Sequence, residues 1–472
     1  MASGSPHGNR AACASDGSAC GGTCTGLSSG QCSFPTGNCG AGPTCSSANS
    51  SIGQAVCTNG SCVAPAAEVC TNGLVCFFGT CDTECFGDKD CQSGYFCETG
   101  SCRLPATQVA TGAKNSFALL SDGSVFAWGA NSSGQLGPAG PTSTSGQAPL
   151  SNVPIRVTSL GKAKAIAAGD SHVCALLSDG TVWCWGAINQ GEVGNGQVAD
   201  SFVATPVQVS GLPAGVTAIA ASGNNSCAVV GSTGAVYCWG DNTSSQLGSN
   251  ASGDSVGTPV MAAGIGSFDT AVATGGGVTC AFPAFTYCWG NNGESELAKP
   301  ASAPTTTPTF VSDGGDSPQQ MAVAHTHTCE LRASGGIYCW GLNELGDLGD
   351  KDTAVGSVAA TPVKVDGLST AAVGIASGYL ETCAALLNGT VWCWGSERSG
   401  ALGNGVTSSD GYSASPVQVS GISAAKSVAV AELHGCALNR NGSIQCWGVG
   451  GDGELGNGSS VDSSVPVTVS GW

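Results

Sequence analysis

The sequence predicts an all-β chain: a seven-bladed β-propeller preceded by a small disulfide-rich, loop-dominated region. Three observations carry the prediction. A Trp-Gly motif recurs seven times at intervals of 50 to 57 residues, a cysteine pair recurs with it, and cysteine usage changes near residue 105.

Composition sets the limits. Gly (74) and Pro (20) make up about a fifth of the 472 residues, which implies many tight turns and little helix. With 41% apolar residues the chain can build a core, which excludes wholesale disorder. Net charge is −18, and residues 106–472 carry 11 Lys/Arg against 25 Asp/Glu. Such a surface repels nucleic-acid phosphates and anionic membranes, so no nucleic-acid partner is expected. No run of 18 apolar residues occurs, so no membrane span is expected. The N-terminus "MASGSPHGNR" has no apolar stretch of the signal-peptide kind and is read as truncated or processed.

The 27 cysteines lack the paired Cys-x2-Cys or His-x3–5-His spacing of zinc sites. Disulfides in an oxidising compartment account for them, which places the protein outside the cell or at its surface; a cytoplasmic protein is the competing reading. Residues 1–105 hold 15 cysteines at irregular spacing, and "CFGDKDCQSGYFCETGSC" (85–102) has the compact spacing of a disulfide microdomain. Residues 106–472 hold 12, all in register with the repeat.

Each repeat offers four short strands. One ends in the motif Trp, at Trp128, Trp185, Trp239, Trp289, Trp340, Trp394 and Trp447. Six residues on comes "GQLG" (134–137) or a variant such as "GEVG" (191–194), "SELA" (295–298) or "GALG" (400–403). After a variable polar stretch a Pro-led strand follows, such as "PVQV" (206–209), then a small-residue strand such as "AIAAG" (165–169), then the cysteine hairpin. Taking the shorter link as internal to a blade, the Pro-led strand opens each blade and the Trp strand ends it. The ring would then close between the N-terminal strands (107–129) and the C-terminal strand (466–469).

The sequence pairs Cys174 with Cys184, Cys227 with Cys238, Cys280 with Cys288, Cys329 with Cys339, Cys383 with Cys393, and Cys436 with Cys446. A Ser178-Asp179-Gly180 loop with Gly left-handed sets Leu177 opposite Thr181 and therefore Cys174 opposite Cys184. The first repeat lacks both cysteines together, with Phe117 and Ala127 in their places, as a bonded pair requires. Free thiols acting as small apolar residues are the alternative. Strand alternation turns Trp185 away from Cys184, so the seven Trp are read as packing between blades.

No catalytic, cofactor or metal residues are assigned. His172, His327 and His434 each stand two residues before a hairpin cysteine, a recurrence that points to a structural hydrogen bond within each blade. His325 and His327 in "HTHTC" could form a metal pair, and "GDLGDKD" (346–352) could bind Ca²⁺, but buried structure and solvated turns are the plainer readings. An enzyme using the central channel would show charged or His residues at equivalent strand positions, and strand-internal charge is read at Glu381 alone.

The pattern AxxxxAxGxxHxCALxxDGxVxxWGxNxxGQLG, best matched at 163–194 and 371–403, resembles the regulator of chromosome condensation repeat family across 106–472. The resemblance implies a seven-bladed propeller. Its founding eukaryotic member is a guanine nucleotide exchange factor, and a secreted bacterial relative inhibits β-lactamase with one propeller face. The cysteine pairs suit an extracytoplasmic bacterial version, and residues 1–105 look like segments of bacterial surface proteins. The expected function is a monomeric protein-binding scaffold, with no catalysis. Its recognition elements are the variable links at 138–153, 195–205, 249–258, 298–307, 350–361, 404–415 and 457–465, all expected on one face.

Overall fold

In the computed structural model the chain divides into two compact units, Met1–Pro105 and Ala106–Trp472. The structure describes residues 95–98 and 101–471 except 143–147, 250–252, 266–270, 283–284 and 313–315, together with short strands between Asn38 and Cys81. In the first unit those strands pair into antiparallel sheets of two and three. Most of the cysteine run at 85–102 lies outside the described residues.

The second unit is seven four-stranded antiparallel sheets, with no helix among the described residues. Blade 2 shows the pattern. Its strands are Ala163–Ala168, His172–Leu177, Val182–Ala187 and Phe202–Gln208, paired in that order. The small-residue strand is innermost, where seven strands converge on the axis and Ala, Gly and Ser are frequent. Two longer side chains there stitch blades together. Gln108 Nε2 donates to Ile166 O (2.7 Å) and its Oε1 accepts from Ile166 N (2.9 Å), as a strand neighbour would. Gln320 repeats the bond pair on Ile375.

The hairpin follows from its turn. Leu177 N donates to Thr181 O at 2.8 Å, Gly180 has φ +84°, and Asp179 Oδ1 accepts from Thr181 N. Cys174 then stands opposite Cys184, their Cα atoms 4.1 Å apart, and the two form a disulfide. The other five hairpins repeat this register. Cys227 faces Cys238, Cys280 faces Cys288, and Cys329 faces Cys339. Cys383 faces Cys393, and Cys436 faces Cys446. Each of these pairs is also a disulfide. The spacing of Cys227 to Cys238 is one residue longer than the first pair, and that of Cys280 to Cys288 is two shorter. The turn absorbs the difference, so the facing register is kept. Alternation sends each sulfur pair toward the next blade and each Trp toward the previous one. Thus Cys174 and Cys184 share a buried cluster with Trp239, and Cys383 and Cys393 one with Trp447. Cys227 and Cys238 pack in the same way with Trp289, Cys280 and Cys288 with Trp340, and Cys329 and Cys339 with Trp394. Phe117 and Ala127 share a cluster with Trp185.

The expected blade phase is wrong. The Pro-led strand is outermost and closes its own blade: Cys184 pairs with Val207, and at the C-terminus Cys446 pairs with Val467. The C-terminal strand Ser463–Thr468 joins blade 7, and strands from 107–129 form blade 1 with Leu150–Arg156. The error lay in treating the longer link as the blade boundary. That link is a run of tight turns (Gly134 N to Asn131 O, Gly137 N to Gly134 O) which returns the chain beside the strand it left. Nor does Pro open its strand. Pro206 is the fifth residue of Phe202–Gln208, at a bulge between the Cys184 and Gly186 pairings, where the outer edge tolerates a missing N–H.

The ring therefore closes face to face, by the contacts that join every other pair of blades. Ala106 N donates to Gly442 O of blade 7, as Ala163 N does to Gly123 O and Ala425 N to Gly389 O. Trp128 Nε1 donates to Glu454 O at 2.7 Å, as Trp239 Nε1 does to Glu192 O. A closing seam no weaker than the rest has a measurable consequence. Trp128→Phe and Trp239→Phe each remove one buried hydrogen bond and part of an indole, so each should cost about 2 kcal/mol in urea denaturation. A much smaller loss for Trp128→Phe would contradict this closure. Thiol labelling of the denatured, unreduced chain should find none of the twelve propeller cysteines reactive.

Candidate functional site

Antiparallel order puts two connections of each blade at the same end: the turn from first to second strand, and the long link from third to fourth. Among the described residues these segments lie on one face of the disc. The described hairpin turns and blade-to-blade crossings lie on the other.

The links form a collar, and three of them bond to the outer strand of the next blade. Gly196 N donates to Gly257 O of the next blade, Gly405 N to Ser464 O, and Gly458 N to Asn152 O across the closing seam. At the base of every link but that of blade 6, where Ala401 stands, the second residue of the GQLG-type motif folds its side chain back onto its own turn. Gln135 Oε1 accepts from Ser133 N, and Glu192 Oε2 from Gln190 N. Its carbonyl then accepts the next blade's Trp: Gln135 O from Trp185, Gln246 O from Trp289, Glu296 O from Trp340. Gly completes the motif in six blades, and in five of them a side chain would crowd that indole: a Cβ on Gly456 (φ +63°) would lie 2.7 Å from Trp128 Nε1, while in blade 4 Ala298 (φ +54°) takes the place and packs in one cluster with Trp340.

Beneath the collar runs a belt of buried hydrogen bonds. His434 Nε2 lies 2.9 Å from Ser116 Oγ, which also lies within hydrogen-bond reach of Glu454 O at 3.0 Å. His172 meets Ser226 at 2.7 Å and His327 meets Thr382 at 2.8 Å. These histidines join neighbouring blades, where the sequence pointed to bonds within one. The recurrence was visible, but the partner sits some 55 residues away on the next blade. Burial pushes their pKa values down to about 3 (His172) and about 4 (His327, His434), so all three are neutral at pH 7. Ser116 and His434 are shut away from any substrate. His325 does not join His327: it stands exposed at the axis, its ring 4.5 Å from that of Tyr379. No group of three metal-ligating side chains occurs among the described residues.

Strand-internal charge is not confined to Glu381. In blade 5 Glu330 and Arg332 form a buried ion pair (2.8 Å), with Arg332 over the Tyr338 ring and Thr286 donating to Glu330. Glu381 takes the histidine position of blade 6, but Gly435 fills the place where blade 7 would offer a hydroxyl. Its Oε1 has no partner, nor does Oδ1 of buried Asp347. Burial, with the charges of Asp347 and Glu432 adding to it, holds the Glu381 carboxyl well above 4.5; burial pushes Asp347 up to about 7.

At the axis the seven inner turns enclose an open cup of about 480 Å³. The first turn position is occupied by Ala113, Asp170, Gly223, Gly276, His325, Tyr379 and Glu432, different in every blade but for the two glycines. Sequence reasoning missed these residues because it scanned the strands for charge. The signal was this spread of residue types at one repeat position.

The Glu381 proton sets a pH dependence. A carboxyl with a raised folded pKa contributes stability that is present below about 4.5 and lost as pH rises through the folded value. Glu381→Gln keeps the shape and removes the titration, while the buried histidines titrate alike in both proteins. The urea midpoint of Glu381→Gln relative to the parent should rise between pH 4.5 and pH 8; a constant difference would contradict a raised pKa.

Repeats described as "Regulator of chromosome condensation (RCC1) repeat" match residues 122–176, 334–385 and 388–438, and a second model of the same description matches 106–135, 163–197 and 216–246. The ultraviolet-B receptor UVR8 of Arabidopsis thaliana is 30% identical over 370 residues, covering 76% of this chain and 81% of that one. The regulator of chromosome condensation of Mus musculus is 26% identical, covering 77% of each. The human E3 ubiquitin-protein ligase HERC2 is 26% identical over 77% of this chain, which spans 6% of that protein. Among solved structures, yeast RCC1 (Prp20) bound to Kap60 shares the fold with a TM-score of 0.63 at 20% identity, covering 78% of this chain and 85% of that one. The chain belongs to the RCC1 repeat family, a family of propellers that includes protein-interaction regulators and receptors.

Proposed function

We propose that the protein is an extracytoplasmic interaction scaffold that binds a protein partner through its collar-and-cup face. The observation that carries this reading is the asymmetry of the disc. One face gathers every variable link around a recessed polar cup, on a frame locked by buried Trp and disulfides; the other presents short Gly-centred turns. Rigid scaffold with variable loops is the arrangement on which recognition surfaces are built. Six stapled hairpins favour an oxidising setting. Inhibition of an enzyme by covering its surface with this face is a special case of the same reading. Guanine nucleotide exchange rests on family analogy alone and has no residue to point to here. No helix among the described residues is long and apolar enough to cross a membrane.

The test immobilises the full oxidised chain and captures partners from the extracellular fraction of its source. Replacing 406–410 and 459–461 on the collar with Gly/Ser should reduce capture about tenfold or more, a loss of about 1.4 kcal/mol or more. Leu387→Gln, on a hairpin turn of the opposite face, should leave it unchanged. Equal capture by collar-replaced and parent chains would discard the assignment.

A further inference from the structure

The cup is chemically lopsided. Blades 2 and 7 place Asp170 and Glu432 on one side, flanking the small Ala113 of blade 1. Blades 5 and 6 place His325 and Tyr379 on the other, as two exposed rings inclined by 31°. No Lys or Arg lines the cup. The cation nearby, Lys114, is held by Asp452 Oδ2 at 3.2 Å, on the collar. Neither Asp170 nor Glu432 has a side-chain hydrogen bond or ion pair among the described residues, whereas Asp241, also lining the cup, is bonded to Thr243 and Gln246. A further acidic side chain lies behind the wall. Glu381 Oε1, wholly buried and unpartnered, sits where a methyl on Gly378 would come within 2.9 Å of it, and Gly378 and its neighbour Ala431 both line the cup. Burial, and then the charge of Glu432, raise the Asp170 pKa, with His325 acting in the opposite direction.

We propose that the cup receives an arginine side chain of the partner protein, its guanidinium stacked on the Tyr379–His325 rings and its N–H groups donating to Asp170 and Glu432. The volume suits one long side chain with its flanking backbone, at the low end of the roughly 300–1,000 Å³ range of ligand pockets. Two acceptors beside a planar aromatic surface favour a planar five-donor fork over a compact ammonium. This inference rests on the reading of the cup face as the interaction face and assigns the chemistry at its centre.

The probe is N-acetyl-Gly-Arg-Gly-amide, titrated by NMR into the full chain at low salt, beside twins carrying Lys or the uncharged isostere citrulline. The arginine peptide should bind at least tenfold more tightly than the citrulline twin, and more tightly than the lysine twin. Asp170→Asn/Glu432→Gln should weaken it about tenfold, the loss of one or two charge-assisted hydrogen bonds. Tyr379→Ala should abolish the preference for Arg over Lys. The charge-matched Asp122→Asn/Asp179→Asn variant, on hairpin turns of the opposite face where Asn388 and Asn441 stand in other blades, should bind as the parent does. All these side chains are exposed at turns or links, so unchanged thermal midpoints would show that folding is intact. Equal binding of the citrulline twin, or equal loss in the charge-matched control, would overturn the proposal; equal binding of the lysine twin would overturn the guanidinium assignment. The scaffold reading fails separately, if partner capture survives collar replacement while the arginine peptide still binds.

Discussion

The structure depends on one repeated hydrogen bond: the indole N–H of each motif Trp donated to a main-chain carbonyl of the preceding blade. A propeller blade cannot bury its faces alone, so its stability lies in what passes between blades. Burying an indole removes roughly 200 Å² from water, worth about 5 kcal/mol before ordering costs. Its polar N–H would forfeit part of that gain if left unpaired. The carbonyl at 135, 192, 246, 296, 347, 401 or 454 removes the penalty each time. The motif around that carbonyl then reads as a socket. Its acid or amide pins the turn from inside, Leu fills the core, and Gly clears space for the indole. Ala401 shows that the carbonyl is the indispensable part, for Trp447 still donates to it at 2.8 Å although its side chain cannot pin the turn.

Once the socket sets the spacing between blades, the positions of other groups follow. Each sulfur pair lies in the same interface as the next blade's Trp, so the staple stiffens the surface against which that Trp packs. In four sockets a hydroxyl on the second strand shares the carbonyl with the indole: Ser116, Ser226, Thr279 and Thr328. At two of them a histidine of the adjacent blade meets that hydroxyl, His434 at Ser116 and His172 at Ser226. The interface that seats the indole also shuts water away from these rings. Low histidine pKa values are thus a consequence of the interface, and they place acid sensitivity at three seams of the disc. Charging these rings as pH falls from about 6.5 toward 4 opposes folding, while Glu381 and Asp347 act in the other direction above their ordinary range.

What was legible in the sequence was whatever repeats locally. Hairpin register follows from Ser178-Asp179-Gly180, the face occupied by Trp185 from alternation, and joint absence of cysteines at Phe117 and Ala127 from the need for both partners. Blade phase was not legible, because length alone cannot separate a link that wanders from one that coils back beside its own strand. The Trp acceptors were hidden for another reason: a carbonyl has no side-chain signature, so the Gln, Glu, Asp and Ala beside it suggested only a polar turn. The histidine partners lie a full repeat away, beyond any local pattern.

The cup was illegible for the opposite reason, since its positions do not repeat. A search for recurring chemistry passes over Ala113, Asp170, His325, Tyr379 and Glu432 because they share nothing but their place in the blade. Yet a frame that holds seven turns at fixed spacing around an axis removes the need for local similarity. Each turn contributes one independently chosen side chain to a common volume, and geometry is supplied by sockets some 50 residues away in sequence. Conformity is therefore expected where blades meet, and divergence where they face a partner. Glu381 marks the border between the two regimes. It occupies a seam position that elsewhere carries a neutral hydrogen-bonding ring, has lost its hydroxyl partner to Gly435, and leaves an unpaired buried carboxyl behind the cup wall. A seam built only for stability gains nothing from a buried carboxyl with an unpaired oxygen.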